Sequence, residues 1–271
     1  MVRRGRLDTE LVRRGLARSR EHAARLVEAG RVTVRGMPAS KTATGVDADT
    51  PVIVAAERTG PDWASRGAYK LLGALERFVP EGLRVTGRRC LDAGASTGGF
   101  TDVLLHEGAR EVVAVDVGYG QLAWRLRTDS RITVHDRTNV RVLDPMALGG
   151  TVELTVADLS FISLRLVLPA LLACTATGGD LMLMVKPQFE IGRERLGAGG
   201  VVRDPALRET AVLDVVTAAA RRATALRGVV ASPLPGPSGN VEYFLWLRPD
   251  GVTPERGAAA MVRVAVREGP Q

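Results

Sequence analysis

Lysine is scarce in this chain. Of 37 basic residues only Lys41, Lys70 and Lys186 are lysines, and the rest are arginines. Arginine keeps its proton in a protein whereas lysine can give it up, so base chemistry by a cationic side chain is confined to those three positions. Cysteine is equally sparse: Cys90 and Cys174 both sit in apolar segments, which argues against a disulfide framework. The three scattered histidines, His22, His106 and His135, lack metal-ligand spacing, so no metal site is expected. No apolar run approaches the ~20 residues of a spanning helix; the longest, 166–174, is interrupted by Pro169. The opening MVRRGR has no apolar signal core. Internal repeats and low-complexity segments are also missing. Together these absences predict a cytoplasmic protein without membrane association, and nothing points to an obligate protein partner.

Charge is present, and it is concentrated. The formal net charge is +7, and residues 1–41 alone carry eleven basic and four acidic side chains, so the remainder is neutral overall. A basic segment on a neutral body is the footprint of nucleic-acid binding. Within it, Leu7, Leu11 and Val12 form a helical stripe ended by Gly15. Ser19 can cap a second helix with Ala23, Leu26 and Val27 on its apolar side and Gly30 at its end. Val32–Val34 reads as a strand, Arg35-Gly36 as a turn, and 46–54 as further short strands around an Asp-Ala-Asp turn. Arg4, Arg6, Arg18, Arg20 and Lys41 are the candidate RNA contacts. The polar stretch 57–63 holds Gly60 and Pro61, which divides the chain into a domain over 1–60, a linker over 61–64 and a domain over 65–271. Trp63 is expected to cover apolar surface.

The second domain is organised around 90–105, CLDAGASTGGFTDVLL. A buried strand reaches Asp92, a small-residue loop follows, and a helical apolar pattern begins at Phe100. Glycines there are expected to let a cofactor approach bare backbone beside helix-start N–H groups. The spacing G-x-x-x-G-G departs from the dinucleotide fingerprint, and no P-loop Lys-Ser or Lys-Thr pair follows. Asp92 before the first glycine would repel a phosphate and suit a cation, which favours S-adenosylmethionine with its ammonium and sulfonium. Gly94, Ser96, Thr97 and Gly98 complete the cradle. The next strand, 111–115, ends on Asp116, placed to take ribose hydroxyls, with Val117 and neighbouring glycines over the ribose and adenine. Asp136, Arg137, Thr138 and Asn139 either read the adenine edge or form a plain turn.

Strand and helix then alternate. A helix is expected from Arg66 to Phe78, with Lys70 near its start, an unfavourable place for a cation. The strand 154–157 ends on Asp158, and 181–185 is followed by Lys186. The segment 191–202, rich in glycine and arginine, reads as a mobile loop that either folds over RNA or only connects. A helix over 205–225 precedes an antiparallel pair, 229–231 with 241–247. Alternation in VEYFLWL puts Glu242 on one face with Phe244 and Trp246, so its carboxylate requires a cation partner. A helix and frayed tail fill 249–271. This is a doubly wound, Rossmann-like α/β sheet preceded by a small α+β domain. Lys70, Asp158, Lys186 and Glu242 come from separate segments yet converge on the expected ligand edge. They would suit methyl transfer to a ribose hydroxyl: Lys186 as base or electrostatic clamp, Asp158 orienting it, Lys70 and Glu242 holding the ribose.

The amino-terminal string RLDTELVRRGLARSREHAARLVEAGRVTVRG resembles the small RNA-binding domain of ribosomal protein S-four. The segments SRGAYKL, CLDAGASTGGFTDVLL, AVDVGYGQLAW, DRTNVR, VADLSFISL, VKPQFE, GGVVRD and SPLPGPSGNVEYFLWL resemble the TlyA family, bacterial proteins once described as haemolysins, with an FtsJ-like catalytic domain. The resemblance spans residues 3–248. It implies cytidine 2′-O-methylation of ribosomal RNA, with Lys70, Asp158, Lys186 and Glu242 as the catalytic tetrad and Asp92, Gly94, Ser96, Gly98 and Asp116 in the S-adenosylmethionine pocket. The RRGR start and the tail after Pro249 resemble the family's long form. That form implies action on 16S and 23S RNA in 30S and 50S subunits, and sensitivity to capreomycin and viomycin. The competing expectations are a noncatalytic ribosome-assembly factor and a membrane-lytic protein.

Overall fold

The computed structural model describes residues 5–270 except 29, 48, 56–60, 237 and 250. Arg4, Ala48 of the expected Asp-Ala-Asp turn and most of the 57–63 segment therefore lie outside the described residues. The chain divides into two compact units, Met1–Asp62 and Trp63–Gln271.

The first unit runs β1 (Gly5–Arg6), α1 (Leu7–Arg13), α2 (Arg20–Glu28), β2 (Val32–Val34), β3 (Met37–Pro38), β4 (Gly45–Val46) and β5 (Val52–Val54). Leu7 and Leu11, one helical turn apart, bury against Ala23, Leu26 and Val27 of α2 and Val32 of β2. Ser19 accepts from the His22 backbone N–H at 3.1 Å, the cap its side chain suits. β2 pairs antiparallel with both β3 and β5, and β1 with β4. Asp8 is buried and receives Arg6 at 3.1 Å and Arg20 at 3.0 Å. Their guanidinium groups, Arg6 first, hold its carboxyl well below the usual carboxylate range. Both arginines remain largely exposed beyond that contact, as are Arg18 and Lys41.

The second unit comprises α3 (Gly67–Phe78), β6 (Arg89–Ala93), α4 (Gly99–His106), β7 (Glu111–Val115), α5 (Trp124–Arg127), β8 (Ile132–His135), β9 (Val152–Ala157), α6 (Leu164–Cys174), β10 (Thr175–Val185), α7 (Pro187–Glu190), α8 (Pro205–Ala220), β11 (Thr224–Ala231), β12 (Tyr243–Pro249) and α9 (Glu255–Glu268). Its strands form one sheet in the order β11-β12-β10-β9-β6-β7-β8. From β8 to β10 the pairings are parallel, and β12 runs antiparallel between β10 and β11. Alternate side chains feed two cores on opposite faces. Leu91, Val113, Leu183 and Leu245 join α6, α8 and α9 on one face. Cys90, Val112, Met182, Phe244 and Trp246 join α3 and α4 on the other. Trp63 belongs to that second core, its ring edge-on to His106 with centroids 5.1 Å apart, and the Ala64 N–H donates to Asp102.

The chain winds outward through β7 and β8 on one side of β6 and through β9 and β10 on the other. The order therefore reverses between β6 and β9, where an open parallel sheet leaves a crevice at the strands' carboxyl ends. The end of α8 and the 191–202 segment both differ from expectation. α8 stops at Ala220 rather than 225, because Thr224, Ala225 and Leu226 are captured as strand by Pro249, Arg248 and Leu247. The 191–202 segment is fastened rather than free at its far end. Asn240 accepts from the Val202 N–H at 2.8 Å and donates to the Gly200 carbonyl, and Arg208 donates to the Val202 carbonyl.

Candidate active site

The loop leaving β6 turns at Gly94, φ +88°, and again at Gly98, φ +98°. A Cβ on Gly94 would stand 2.7 Å from the Asp158 carbonyl, and one on Gly98 would stand 2.3 Å from Leu126. At Gly94 the chain's own backbone stands where a side chain would be, whereas at Gly98 the nearest atoms are the ends of the Leu126 and Leu122 side chains. Open space adjoins the same loop. A cavity of about 580 Å³ is lined by Ser65, Arg66, Lys70, Thr97, Phe100 and Asp158, together with Gly94 and Ser96. A second, of about 450 Å³, is lined by Asp116, Val117, Asn139, Ser160 and Phe161 and shares Gly94, Ser96 and Asp158 with the first.

Two carboxylates line this crevice and a third lies beneath it. Asp116 accepts from the Ser96 N–H at 2.8 Å and the Gly118 N–H at 2.7 Å, which ties the β7 end to the glycine loop. Asp92 is completely buried beneath the loop and does not line either cavity. Its Oδ2 accepts from the Thr101 hydroxyl at 2.7 Å, and its Oδ1 is a buried acceptor without a hydrogen-bond partner among the described residues. Burial pushes the Asp92 carboxyl up to about 7 against the Thr101 hydrogen bond, with Asp158 adding to the rise. Asp158 stands at the mouth.

Asp158 and Lys186, carried by the adjacent ends of β9 and β10, form an ion pair of 2.5 Å. Lys186 also donates to the Ser160 hydroxyl at 2.9 Å. Lys70, from the first turn of α3, pairs with Glu242 at 2.6 Å. That pair is buried, Lys70 at 7% and Glu242 at 1% exposure, so the carboxylate has the cation partner its apolar face demands. It also offsets the cost of placing Lys70 at a helix start. Of the adenine-edge candidates, Thr138 and Asn139 line the second cavity whereas Asp136 and Arg137 do not. Asp136 is held by Arg127 at 2.9 Å, and Arg137 lies 4.4 Å over the Tyr119 ring.

The sequence pattern does not single out Phe161. It lines the second cavity, is 90% exposed, and has φ +63°, an uncommon conformation for a bulky side chain. Its ring stands 5.2 Å from Phe189, the third residue of α7. Two phenylalanines at corresponding places after neighbouring strands, in LSF and PQF, were the available signal.

A reversing parallel sheet, a glycine loop with acids at two strand ends, and two lysine–carboxylate pairs beside it define a class: a doubly wound α/β protein with a crevice at the sheet's switch point, the place where this fold takes nucleoside-type ligands. The FtsJ-like methyltransferase model matches residues 63–249, and the S4 domain model matches residues 5–50. The chain is 58% identical to the 16S/23S rRNA (cytidine-2′-O)-methyltransferase TlyA of Mycobacterium tuberculosis, with 100% of both chains covered. It is 42% identical to the putative rRNA methyltransferase YqxC of Bacillus subtilis, over 89% of this chain and 85% of that one. Among solved structures, a putative hemolysin from Streptococcus thermophilus superimposes with a TM-score of 0.73 at 36% identity, covering 99% of this chain and 98% of the other. The chain belongs to the TlyA family of FtsJ-like methyltransferases, with an amino-terminal S4 domain. It is a methyltransferase.

Proposed function

We propose that the protein transfers a methyl group from S-adenosylmethionine to the ribose 2′-hydroxyl of cytidine in ribosomal RNA, 16S and 23S, within 30S and 50S subunits. The observation that carries this reading is the pair of lysine–carboxylate contacts, Lys186–Asp158 and Lys70–Glu242, beside a crevice at the sheet's switch point. The residues present fit the cofactor. The crevice is lined by two carboxylates, Asp116 and Asp158, a donor set that suits a cationic ligand over a phosphate. When bound, S-adenosylmethionine supplies an electrophilic methyl group on a sulfonium. Asp116 and Val117 would hold its ribose, Asn139 its adenine edge, and Ser96 and Thr97 its amino-acid end.

Lys186 then accepts the proton of the 2′-hydroxyl, Asp158 keeps the amine in place, and Lys70 with Glu242 holds the ribose. Phe161 offers an open ring face on which an unstacked base can lie. Arg4, Arg6, Arg18, Arg20 and Lys41 contact phosphates of the RNA and hold the particle while the target nucleotide is reached. The function of the relatives and the S4 domain support the ribosomal substrate. A place in the cytoplasm follows from that substrate, and no described helix is long and apolar enough to cross a membrane. Loss of the enzyme would reduce sensitivity to capreomycin and viomycin.

The test incubates purified 30S and 50S subunits lacking the modification with the protein and S-adenosylmethionine, and digests the recovered RNA to nucleosides. Mass spectrometry should find 2′-O-methylcytidine from both particles. A methylated base would overturn the ribose reading, and tight binding to subunits with no methyl transferred would favour the assembly-factor expectation.

A further inference from the structure

We infer that Ser160 is a positioning residue that aims the Lys186 amine at the substrate, an inference resting on the ribose-methylation reading above. The amine nitrogen has four bonding directions, one of which is its own Cε. One of the other three carries a hydrogen bond: the Ser160 hydroxyl accepts at 2.9 Å, whereas Asp158, 2.5 Å away, is an ion-pair partner whose Oδ1 has no hydrogen-bond partner among the described residues. In the neutral amine that a base requires, there are two N–H donors and one lone pair. The Ser160 bond holds one N–H and so confines the lone pair to two directions, and the adjacent Asp158 carboxylate disfavours the one on its own side. Without the Ser160 acceptor, rotation about the Cε–Nζ bond spreads the lone pair over all three directions.

The loop that carries Ser160 is built to hold it there. Residues 158–163 leave β9 through the strained Phe161, and Ser163 then caps α6 by accepting from the Arg165 N–H. The far end is fastened to the segment that follows Lys186. Glu190, itself buried, accepts from the Ser163 hydroxyl at 2.5 Å and the Leu164 N–H at 2.7 Å. The loop and the lysine segment are thus joined twice, by Asp158 and Ser160 to Lys186 at one end and by Ser163 and Leu164 to Glu190 at the other. Ser160 also lines the second cavity.

Ser160 is exposed, so Ser160→Ala should fold normally. In the full chain, single-turnover methyl transfer to subunits should fall about ten- to a hundredfold, the scale of a misaimed group. Dissociation constants for S-adenosylmethionine and for subunits should be unchanged. Ser160→Thr, which keeps the hydroxyl, should restore the rate. In a Lys186→Ala background, adding Ser160→Ala should change nothing further. A readout independent of transfer is available because the chain has three lysines. Nitrogen-15 side-chain NMR, assigned with Lys186→Met, should show a Lys186 Nζ–H signal protected from solvent exchange, lost in Ser160→Ala and kept in Ser160→Thr. Full transfer with the signal retained in Ser160→Ala overturns the inference, as does an equal loss in both lysine backgrounds. Should Lys186→Ala transfer at the wild-type rate, the base reading fails instead, and the NMR signal alone then decides whether Ser160 holds the amine.

Discussion

Lys70 and Glu242 form a buried pair, and such a pair responds asymmetrically to mutation. Removing one partner strands the other charge, so Lys70→Met or Glu242→Leu alone should cost about 3–5 kcal/mol in urea unfolding. The double substitution should recover most of that stability while leaving methyl transfer abolished, because stability needs only charge balance and ribose binding needs the charges themselves. Equal losses in the single and double variants would contradict this. Asp92 gives a pH dependence of the apoprotein. The unfolded chain ionises this carboxyl near 3.8 and the native chain near 7, so between those values the native state binds the extra proton. Its favourable contribution is therefore complete below 3.8 and lost as pH rises through 7, on the order of a few kcal/mol. Asp92→Asn should flatten that fall between pH 5 and pH 8 in chemical denaturation and leave the mutant the more stable at pH 8. An unchanged slope would show that Asp92 is ionised in the native state throughout. The demand of Glu242 for a cation was legible in strand alternation, because a carboxylate among Phe244 and Trp246 cannot stand alone. Its pairing with Lys70, 172 residues distant, was not, since only the folded sheet brings α3 against the chain entering β12.

The loop between β6 and α4 is set by contacts with its neighbours. Gly94→Ala would force a Cβ to 2.7 Å from the Asp158 carbonyl at φ +88°, so the end of β9 must shift. A stability loss of about 1–3 kcal/mol is expected, together with a large loss of transfer. Calorimetry and single-turnover rates check this, and retention of both would show that the loop accommodates the change. Much of the element pattern was readable. β6, β7 and β9 are short apolar runs, each followed by an acid or a glycine loop, and the sheet hides both of their faces. Spacing alone does not reveal that the missing Cβ of Gly94 also makes room for the Asp158 carbonyl, because β9 comes later in the chain. The end of α8 was missed for a related reason: Ala, Thr and Leu at 224–226 satisfy a helix as well as a strand, and pairing with β12 decides between them. Phe161 escaped because its conformation depends on the anchors at Lys186 and Glu190.

At the scale of the whole chain, the basic excess of residues 1–41 gives the amino-terminal unit its own job. Deleting residues 1–60 should abolish methylation of subunits while S-adenosylmethionine binding, measured by calorimetry, survives. Equal activity of the shortened chain would remove the RNA-binding role from that unit. Affinity of the full chain for subunits should fall on the order of 10²-fold between 50 and 200 mM salt if all five candidate cations release counterions. The most direct measurement concerns where the methyl group goes and which residue it depends on. Subunits are methylated with labelled S-adenosylmethionine by the wild-type protein or by Lys186→Ala, and the RNA is treated with alkali, which cleaves only where the 2′-hydroxyl is free. Label held in an alkali-resistant dinucleotide with wild type, and transfer lowered about 10²- to 10⁴-fold in the variant, is the predicted result. Label released in ordinary mononucleotides, or undiminished transfer by Lys186→Ala, would contradict it.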